Sequence, residues 1–195
     1  MKIALYLGSF NPFHNGHLKV VKTALEDFGM DRVVIVPAMQ NPWKEEKVLD
    51  IYKRIIIISE YLNPRNKIRG IVPYEYAFEG DINKICIIDL IEKDLIPPYY
   101  SYATLHALKT KYCNDEVFVL CGEDTMNSIP DWMNGGQILQ DYDFIVVDRP
   151  KNDISSTAIR EMLQTRHKMD AYYSDEKLAR YVSPNVINLL KQYYE

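Results

Sequence analysis

The chain has 195 residues, a length that fits one domain, and 47% of them are apolar, which is ordinary for a globular core. A formal net charge of −4 excludes a broad cationic surface for nucleic acid or anionic membranes, so a few placed basic side chains would have to attract phosphate. The longest apolar runs are too short to cross a bilayer, and the N-terminus starts with a strand-like segment, not a signal-type apolar region. We therefore expect no nucleic-acid partner and no membrane partner.

The three cysteines form neither a CxxC pair nor a zinc-type spacing. Cys86 and Cys121 lie inside apolar, strand-like runs, so we expect them to be buried thiols. The third cysteine is Cys113. Cysteines kept as thiols fit a reducing compartment, and we expect a cytoplasmic location on that ground.

Five short apolar segments predict β-strands at residues 3–7, 33–37, 85–90, 117–121 and 144–148. Helical spacing of apolar residues predicts α-helices at 17–28, 47–62, 101–112 and 132–139. Alternating strands and helices predict a parallel sheet covered on both faces, because a parallel crossover places a helix on one face or the other. Three more helices are predicted at 156–164, 175–181 and 184–194, the last with Ser183 as its N-cap.

We therefore predict an α/β fold with a doubly wound, Rossmann-like parallel sheet. One domain would span residues 1–195, with a small helical part at about 150–195. The stretch 63–81 mixes proline, glycine and charged residues and receives no assignment.

The segment GSFNPFHNGH, residues 8–17, joins the first predicted strand to the first predicted helix. A strand, a glycine-containing turn and a helix N-terminus make an anion site, because backbone N–H groups and the helix dipole point at the same place. Gly16 would allow a close approach of backbone or ligand, and His14 and His17 add side-chain donors. A lone histidine here would more often be a cap, but the full string suits a polyphosphate. The buried face of the helix that follows is predicted at Leu18, Val21, Leu25 and Phe28.

A second phosphate-type element is the string ISSTAIR at residues 154–160. Ser155, Ser156 and Thr157 are natural helix-capping residues, and Arg160 lies about one turn inside the helix, where it could reach an anion at the N-terminus. A well-capped helix is the plainer interpretation of this string on its own. Together with the first element, it predicts that hydroxyl, N–H and guanidinium groups converge on one anion.

These two elements resemble the HxGH and ISSTxIR motifs of the nucleotidyltransferase superfamily, whose members transfer a nucleoside monophosphate from an NTP and release pyrophosphate. The resemblance implies catalytic roles at the ATP phosphates for His14, His17 and Arg160. It also implies that the following residues contact ATP: Gly8, Ser9, Phe10, Gly16, Ser156 and Thr157.

Three further strings resemble the nicotinate/nicotinamide mononucleotide adenylyltransferase family. The first runs from Pro37 to Lys44 and resembles the family's proline-spaced PHK element, with Trp43 where histidine is common. It implies that Asn41 and Lys44 contact the pyridine nucleotide, with Lys44 as the phosphate-facing cation. A solvated lysine is the alternative for Lys44.

The second string, YSYATL at residues 100–105, resembles the family's SYTxxTL segment. It implies that Tyr100 and Ser101 contact the pyridine nucleotide through hydroxyl and backbone groups. Ser101 could instead simply cap the predicted helix.

The third string, CGEDTM at residues 121–126, is followed by Trp132 and resembles the pattern GxDxLxxxxxW. It implies ATP contacts from Gly122 and Asp124, with the Asp124 carboxylate accepting hydrogen bonds from the ribose. It also implies that Trp132 stacks on the pyridine ring, which an indole face suits. An N-cap role for Asp124 and a half-buried core position for Trp132 are the alternatives.

The family chemistry implied is in-line attack by the 5′-phosphate of a pyridine mononucleotide on the α-phosphorus of ATP, with Mg²⁺ bridging phosphate oxygens and few protein ligands. Pantetheine-phosphate adenylyltransferase is the nearest alternative, followed by cytidylyl transfer to a glycerol or choline phosphate. A nucleotide-binding regulator without turnover is an alternative of another class. The choice between nicotinate and nicotinamide stays open, and so does self-association into a homo-oligomer.

Overall fold

A computed structural model of the protein describes residues 1–39, 48–62, 75–78, 81–148, 155–165 and 171–194. The described residues form one six-stranded sheet with the order β3-β4-β2-β1-β5-β6. Its strands are β1 (Lys2–Gly8), β2 (Arg32–Pro37), β3 (Glu75–Phe78), β4 (Asp81–Ile88), β5 (Glu116–Gly122) and β6 (Asp143–Val147). Five of them match the predicted strands to within a few residues and pair in parallel. The Rossmann-like α/β fold is thereby confirmed.

The sheet departs from the prediction at one edge, where β3 pairs antiparallel with β4. This strand lies in the stretch 63–81, which received no assignment from the sequence. Only two positions separate the end of β3 from the start of β4, and a connection that short can join antiparallel strands but not parallel ones. The predicted all-parallel sheet therefore gains a short antiparallel edge strand.

Eight α-helices flank the sheet in the described part of the chain. They are α1 (Asn15–Glu26), α2 (Ile51–Leu62), α3 (Ser101–Lys111), α4 (Glu123–Ser128), α5 (Gly135–Asp141), α6 (Ser156–Thr165), α7 (Ala171–Ala179) and α8 (Pro184–Tyr194). Two short 3₁₀ turns occur at Ile91–Asp94 and Ile129–Asp131. The helices at α1, α2, α3, α6, α7 and α8 were predicted, with ends that shift by a few residues.

The predicted helix at 132–139 is wrong in its position. Pro130 lies at the start of the 3₁₀ turn, Trp132 is extended, and Asn134 is left-handed with a φ of 59°. Helix α5 therefore begins only at Gly135, and the helix that follows β5 directly, α4, was not predicted. The sequence of this helix, EDTMNS, has a single apolar residue and therefore no apolar period, and none of its six residues is fully buried.

Two further boundaries differ for local reasons. Helix α1 ends at Glu26, which leaves Phe28 exposed instead of on the predicted buried face. Helix α2 begins at Ile51 and not at 47. Asp50 accepts the Tyr52 N–H on its carboxylate at 2.9 Å and the Arg54 N–H on its carbonyl at 3.1 Å, as a residue that caps a helix N-terminus does.

The apolar core divides into two clusters, one on each face of the sheet. Side chains along β1 alternate between them: Ala4 and Tyr6 join the first cluster, whereas Ile3 and Leu5 join the second. Strand β2 alternates in the same way, which confirms that continuous apolar strands here are covered on both faces. The second cluster receives its helical side chains from α3 and α5.

The C-terminal helices contribute to the first cluster. Their buried members are Ile159 and Leu163 of α6, Leu178 of α7, Val182, and Val186, Ile187 and Leu190 of α8. These side chains pack with residues of β1, α1 and α2, so the helical part shares its core with the sheet.

Cys86 and Cys121 are buried thiols, as predicted, and Cys113 is exposed. Burial raises the pKa of the Cys86 thiol far above its ordinary value. In the residues that the structure describes, no helix is both long and apolar enough to cross a membrane.

Candidate active site

A pocket of about 250 Å³ opens at the carboxyl end of β1, where the chain leaves the sheet for α1. In a parallel sheet the ligand site is expected at this edge, near the point where the strand order reverses. Strand β1 is such a point, because β2 lies on one side of it and β5 on the other. The lining comprises Tyr6, Leu7, Gly8, Ser9, Phe10, Asn11, His14, His17, Val48, Asp124, Thr125, Ser155, Ser156, Thr157 and Arg160.

The two histidines of the first motif cap the N-terminus of α1 and contact each other. His14 is the N-cap residue and its Nδ1 accepts the Gly16 N–H at 3.1 Å, while His17 Nδ1 accepts the His14 N–H at 3.2 Å. This reciprocal arrangement is a capping box built from imidazoles. The ring centroids lie 3.8 Å apart, so both rings are held rigidly at the pocket wall.

The capping box fixes what the histidines can offer to a ligand. Each Nδ1 accepts a backbone N–H, so in a neutral ring the proton resides on Nε2. In that form each ring carries its N–H at Nε2, and an imidazole N–H is a donor that suits the oxygens of a phosphate group.

The amides at the start of α1 are used within the protein, contrary to the simple expectation of a helix N-terminus that faces an anion. The Asn15 N–H donates to the Tyr181 carbonyl at 3.0 Å, and the Gly16 N–H is taken by His14. Gly16 is buried and does not line the pocket. Within the first motif, we therefore expect backbone donors for a ligand in the preceding loop, at Gly8 to Phe10.

Phe10 gives this loop an unusual backbone, with a φ of 45° in the left-handed region. A non-glycine residue there costs about 1–3 kcal/mol and persists only where its surroundings fix it. The Phe10 ring is buried against Tyr6 at 5.1 Å, Phe13 at 5.6 Å and His17 at 5.1 Å between ring centroids. A Cβ on Gly8 would lie 2.9 Å from this ring, so a side chain at the end of β1 would require the buried Phe10 ring to shift.

Helix α6 brings the second motif to the same pocket. Ser155 supplies the cap, because its Oγ accepts the Ala158 N–H at 3.2 Å. The other hydroxyls bind protein atoms: Ser156 Oγ donates to the Pro12 carbonyl at 2.9 Å, and Thr157 Oγ1 accepts from Arg160 at 3.2 Å. Residues of both motifs therefore line one pocket, while their convergence on a bound anion stays a prediction.

Arg160 joins the two motifs directly, since its guanidinium donates to the Asn11 carbonyl at 2.8 Å. Residues 11 and 160 are separated by 149 positions, so this contact depends on the folded chain as a whole.

Asp124 reaches the pocket from the first turn of α4. Gly122 is the N-cap of this helix and no side chain caps it, so the alternative of Asp124 as the cap is wrong. Gly122 itself does not belong to the lining. The Asp124 carboxylate thus lies at the pocket wall, where it can accept hydrogen bonds from a ligand hydroxyl.

The residues assigned to the pyridine nucleotide lie elsewhere. Tyr100 is the N-cap of α3 without a side-chain cap bond, and Ser101 is the first helical residue, so Ser101 does not cap the helix. Trp132 is half-buried and packs against the second core cluster. Asn41 and Lys44 fall outside the described residues. Tyr100, Ser101 and Trp132 are not among the residues that line the pocket at β1.

Four residues that support the site were missed by the analysis of the sequence. Asn11 accepts the Leu49 N–H at 3.1 Å and the hydroxyl of Tyr194 at 2.6 Å. Arg54 is almost completely buried and donates to the Ser9 carbonyl at 2.7 Å. The signal for Arg54 was available, because it stands within the apolar stripe of α2 with Ile51, Ile55 and Ile58. Tyr194 and Asn11 gave no comparable signal.

The fourth is Glu92, which holds the string YSYATL to the end of β2. Its carboxylate accepts the Met39 N–H at 2.7 Å and the Thr104 hydroxyl at 2.9 Å. Burial raises the pKa of Glu92 above its ordinary value, although both hydrogen bonds favour the carboxylate.

The fit of the pocket to a metal ion is limited. In the described part of the chain, no group of three or more His, Cys, Asp or Glu side chains could hold one. Asp124 is the one carboxylate among the residues that line the pocket. A metal ion would therefore be held mainly by the phosphates of a nucleotide and by water.

A parallel sheet with histidine, arginine and hydroxyl donors at its switch point defines a nucleotide-binding protein of the nucleotidyltransferase class. Comparison with family models agrees, since the cytidylyltransferase-like model matches residues 5–162. The chain belongs to this cytidylyltransferase-like family.

Two curated relatives align with most of the chain. The nicotinate-nucleotide adenylyltransferase of Bacillus subtilis (strain 168) is 27% identical, over 94% of this chain and 96% of the relative. A probable nicotinate-nucleotide adenylyltransferase of Cytophaga hutchinsonii is 32% identical, over 85% of this chain and 77% of the relative.

Solved structures share the fold. The nicotinic acid mononucleotide adenylyltransferase of Plasmodium falciparum, complexed with NaAD, superposes with a TM-score of 0.72 at 17% identity and covers 98% of this chain and 95% of its own. A putative nicotinate-nucleotide adenylyltransferase from Vibrio parahaemolyticus gives a TM-score of 0.70 at 19% identity, with 98% and 93% covered.

Proposed function

We propose that this protein transfers AMP from ATP to nicotinate mononucleotide and thereby forms a dinucleotide and pyrophosphate in NAD biosynthesis. The observation that carries the proposal is the single pocket to which the fold brings both phosphate-type motifs, from positions 149 residues apart. Support for the acceptor comes from the two curated relatives described above, both of which are named for nicotinate nucleotide.

In this proposal an oxygen of the mononucleotide 5′-phosphate attacks the α-phosphorus of ATP. The bond between the α-phosphorus and the bridging oxygen to the β-phosphate breaks, and pyrophosphate leaves. The attacking oxygen is already ionised, so no general base is required. Positioning and stabilisation of the developing charge supply the catalysis.

We assign His14, His17 and Arg160 to the ATP phosphates. The Nε2–H donors of the two histidines would strengthen their hydrogen bonds as negative charge develops on the leaving pyrophosphate. The Arg160 guanidinium, which donates to the Asn11 carbonyl and to the Thr157 hydroxyl, is a planar cationic fork of the kind that binds phosphate oxygens.

The other proposed ATP contacts follow from the pocket wall. Backbone amides at Gly8, Ser9 and Phe10 would bind the nucleotide, and Asp124 would accept hydrogen bonds from the ribose. Ser156 and Thr157 would lie near the terminal phosphates at the start of α6. The resemblance also names Gly16 and Gly122. They act through the local backbone in this proposal, Gly16 by donating its N–H to His14 and Gly122 as the N-cap of α4.

The pyridine nucleotide is proposed to bind beside the pocket, at the N-terminal end of α3. Tyr100 and Ser101 would contact it there, and Trp132 would stack on its ring. The supporting observation is that Trp132 and Tyr102 of α3 pack against the same core cluster, on one face of the sheet. Asn41 and Lys44 are also proposed to contact the pyridine nucleotide; both lie outside the residues that the structure describes.

Mg²⁺ is proposed to enter with ATP as part of the substrate, because the pocket offers few protein ligands for it. When bound, it would neutralise charge on the phosphate oxygens. We place the reaction in the cytoplasm, a proposal supported by the buried thiols Cys86 and Cys121.

Pyrophosphate release with ATP and Mg²⁺ tests the proposal, with nicotinate mononucleotide, nicotinamide mononucleotide and phosphopantetheine offered in parallel. We expect strong release with nicotinate mononucleotide and a weaker signal with the nicotinamide form. CTP in place of ATP tests for cytidylyl transfer. The His17→Gln variant, purified identically, controls for contaminating activity.

Release with phosphopantetheine alone would refute the proposed acceptor and retain the two phosphate motifs. Absence of pyrophosphate release with every acceptor, together with measurable ATP binding, would refute the enzymatic proposal and favour a regulatory nucleotide-binding protein.

A further inference from the structure

The loop at residues 9–12, between β1 and α1, is held by side chains from other helices. Three of its carbonyl oxygens accept hydrogen bonds from outside the loop. The pairs are Arg54 with Ser9 at 2.7 Å, Arg160 with Asn11 at 2.8 Å and Ser156 with Pro12 at 2.9 Å. A carbonyl oxygen that faced a polyphosphate would repel it, because both carry negative charge. Because these three oxygens are hydrogen-bonded to protein donors, they do not face a phosphate group in the pocket.

Arg54 differs from the other two donors because it does not line the pocket. Its side chain is 1% exposed, and it donates through Nε to the Leu49 carbonyl at 2.8 Å and through its terminal nitrogen to Ser9. Among the described residues, no carboxylate lies within 4.0 Å of the guanidinium. The carboxylates of Asp50 and Glu92 act on the guanidinium only as more distant charges, so its direct partners are neutral carbonyls, and burial lowers the pKa of Arg54 below its ordinary value. Burying a cation in this way carries a desolvation penalty that a purely packing side chain would avoid.

The bond from Arg54 to the Ser9 carbonyl also determines the direction of the N–H group in the same peptide, that of Phe10. A trans peptide is planar, so its N–H points opposite to its carbonyl oxygen. With the Ser9 oxygen held by Arg54, the Phe10 N–H points away from Arg54. Both Ser9 and Phe10 line the pocket, and no bond joins the Phe10 N–H to another residue within the described ranges.

A second contact fixes the other side of the same loop. Asn11 Oδ1 accepts the Leu49 N–H at 3.1 Å and the Tyr194 hydroxyl at 2.6 Å. Leu49 therefore bonds to Asn11 through its nitrogen and to Arg54 through its oxygen. Between these two attachments lies Phe10, whose φ of 45° requires such restraint.

We propose that Arg54 is a positioning residue for ATP: it fixes the Ser9–Phe10 peptide so that the Phe10 N–H faces the phosphate groups. Its cationic charge beneath the loop also favours an anionic ligand in the pocket. The proposal rests on the proposed function only in taking ATP as the ligand of this pocket.

The test measures binding of the unreactive analogue α,β-methylene-ATP with Mg²⁺ by calorimetry, in the full-length protein. We expect Arg54→Met to bind the analogue at least tenfold more weakly than the unaltered protein. Arg54→Lys keeps the charge but can reach only one of the two carbonyls, so we expect an intermediate loss. Lys53→Met is the matched control, because it removes a neighbouring exposed cation from the same helix, and its affinity should stay within twofold.

A purely structural role would weaken both substrates together, so KM for the mononucleotide provides the second readout. We expect it to stay within twofold in the Arg54 variants while KM for ATP rises. Wild-type affinity for the analogue in Arg54→Met overturns the proposal. If Arg54→Met does not fold, wild-type affinity in Arg54→Lys overturns it equally. Absence of pyrophosphate release from the unaltered protein would refute the proposed function and leave this binding comparison valid.

Discussion

At the scale of single residues, His17 has two roles that a substitution can separate. Its Nδ1 accepts the His14 N–H in the capping box, while its Nε2 is the proposed phosphate donor. Glutamine at the third position of a helix serves the same capping role, so His17→Gln retains an acceptor and loses the imidazole donor. We expect thermal stability close to that of the unaltered protein and a fall in kcat of about 100-fold.

Steady-state kinetics and a thermal melt on the same preparation check this expectation. His17→Ala, which removes both roles, should in addition lose about 1 kcal/mol of unfolding free energy. A kcat for His17→Gln near the original value would remove His17 from the mechanism.

Glu92 gives a pH-dependent expectation whose sign follows from its burial. Its pKa in the folded protein lies above its ordinary value of 4.5. Between those two values the folded chain binds more protons than the unfolded chain, so the contribution of Glu92 to the free energy of unfolding falls as pH rises. Glu92→Gln removes this titration.

Urea unfolding of both proteins at a series of pH values from 4.5 upward measures the effect. The stability of the unaltered protein relative to Glu92→Gln should decrease with rising pH. Other groups cancel in this difference, so an increase with pH would contradict the assigned shift.

At the scale of elements, the first turn of α5 offers two adjacent glycines with opposite expected responses. A Cβ on Gly135 would lie 1.9 Å from the Ile129 carbonyl oxygen, whereas a Cβ on Gly136 would meet nothing within 4 Å. We expect Gly135→Ala to destabilise the protein by several kcal/mol, because backbone must move, and Gly136→Ala to stabilise it by about 0.5–1 kcal/mol through helix propensity.

Chemical denaturation of the two variants checks the pair. Equal effects would mean that α5 does not approach the 3₁₀ turn as closely as described.

The elements also show how far the sequence determines the fold. Strands β1 and β2 were predictable because their apolar runs are buried on both faces, and α1 because its N-terminus is marked by a motif. The start of α5 was not predictable, because a single residue in the left-handed conformation, Asn134, determines where this helix begins. The edge strand β3 was missed because pairing with a neighbour, and not its own periodicity, defines it.

The candidate site divides in the same way. The residues at 8–10, 14, 17, 155–157 and 160, which line the pocket, belong to contiguous strings that the sequence displays. Arg54, Asn11 and Tyr194 act through contacts between distant positions, and no local pattern encodes the separation of 183 residues between Asn11 and Tyr194. The sequence therefore indicates residues that line the pocket but not the distant side chains that hold those residues in place.

At the scale of the whole molecule, the shared first core cluster predicts that the sheet and the C-terminal helices unfold together. Leu190 of α8 is fully buried in that cluster, whereas Asn188 on the same helix is exposed. We expect Leu190→Ala to cost about 2–5 kcal/mol and Asn188→Ala less than about 0.5 kcal/mol.

Cooperativity is tested with two probes in a Trp43→Phe background, where Trp132 reports on the opposite face of the sheet by fluorescence. Its transition and that of far-ultraviolet circular dichroism should shift equally in Leu190→Ala. A shift in circular dichroism alone would indicate two independent domains and contradict the prediction of one.

The hydrogen bond between Asn11 and Tyr194 sets a condition on biosynthesis. A ribosome adds about 5–20 residues each second, so on the order of ten seconds or more separate the synthesis of these two partners. Throughout that interval the loop at residues 9–12 lacks one of its restraints, and so does the start of α1, which bonds to Tyr181. A nascent chain therefore contains the motif at residues 8–17 long before the residues that restrain it have been synthesised. The site can reach its final structure only when translation has reached the last helix.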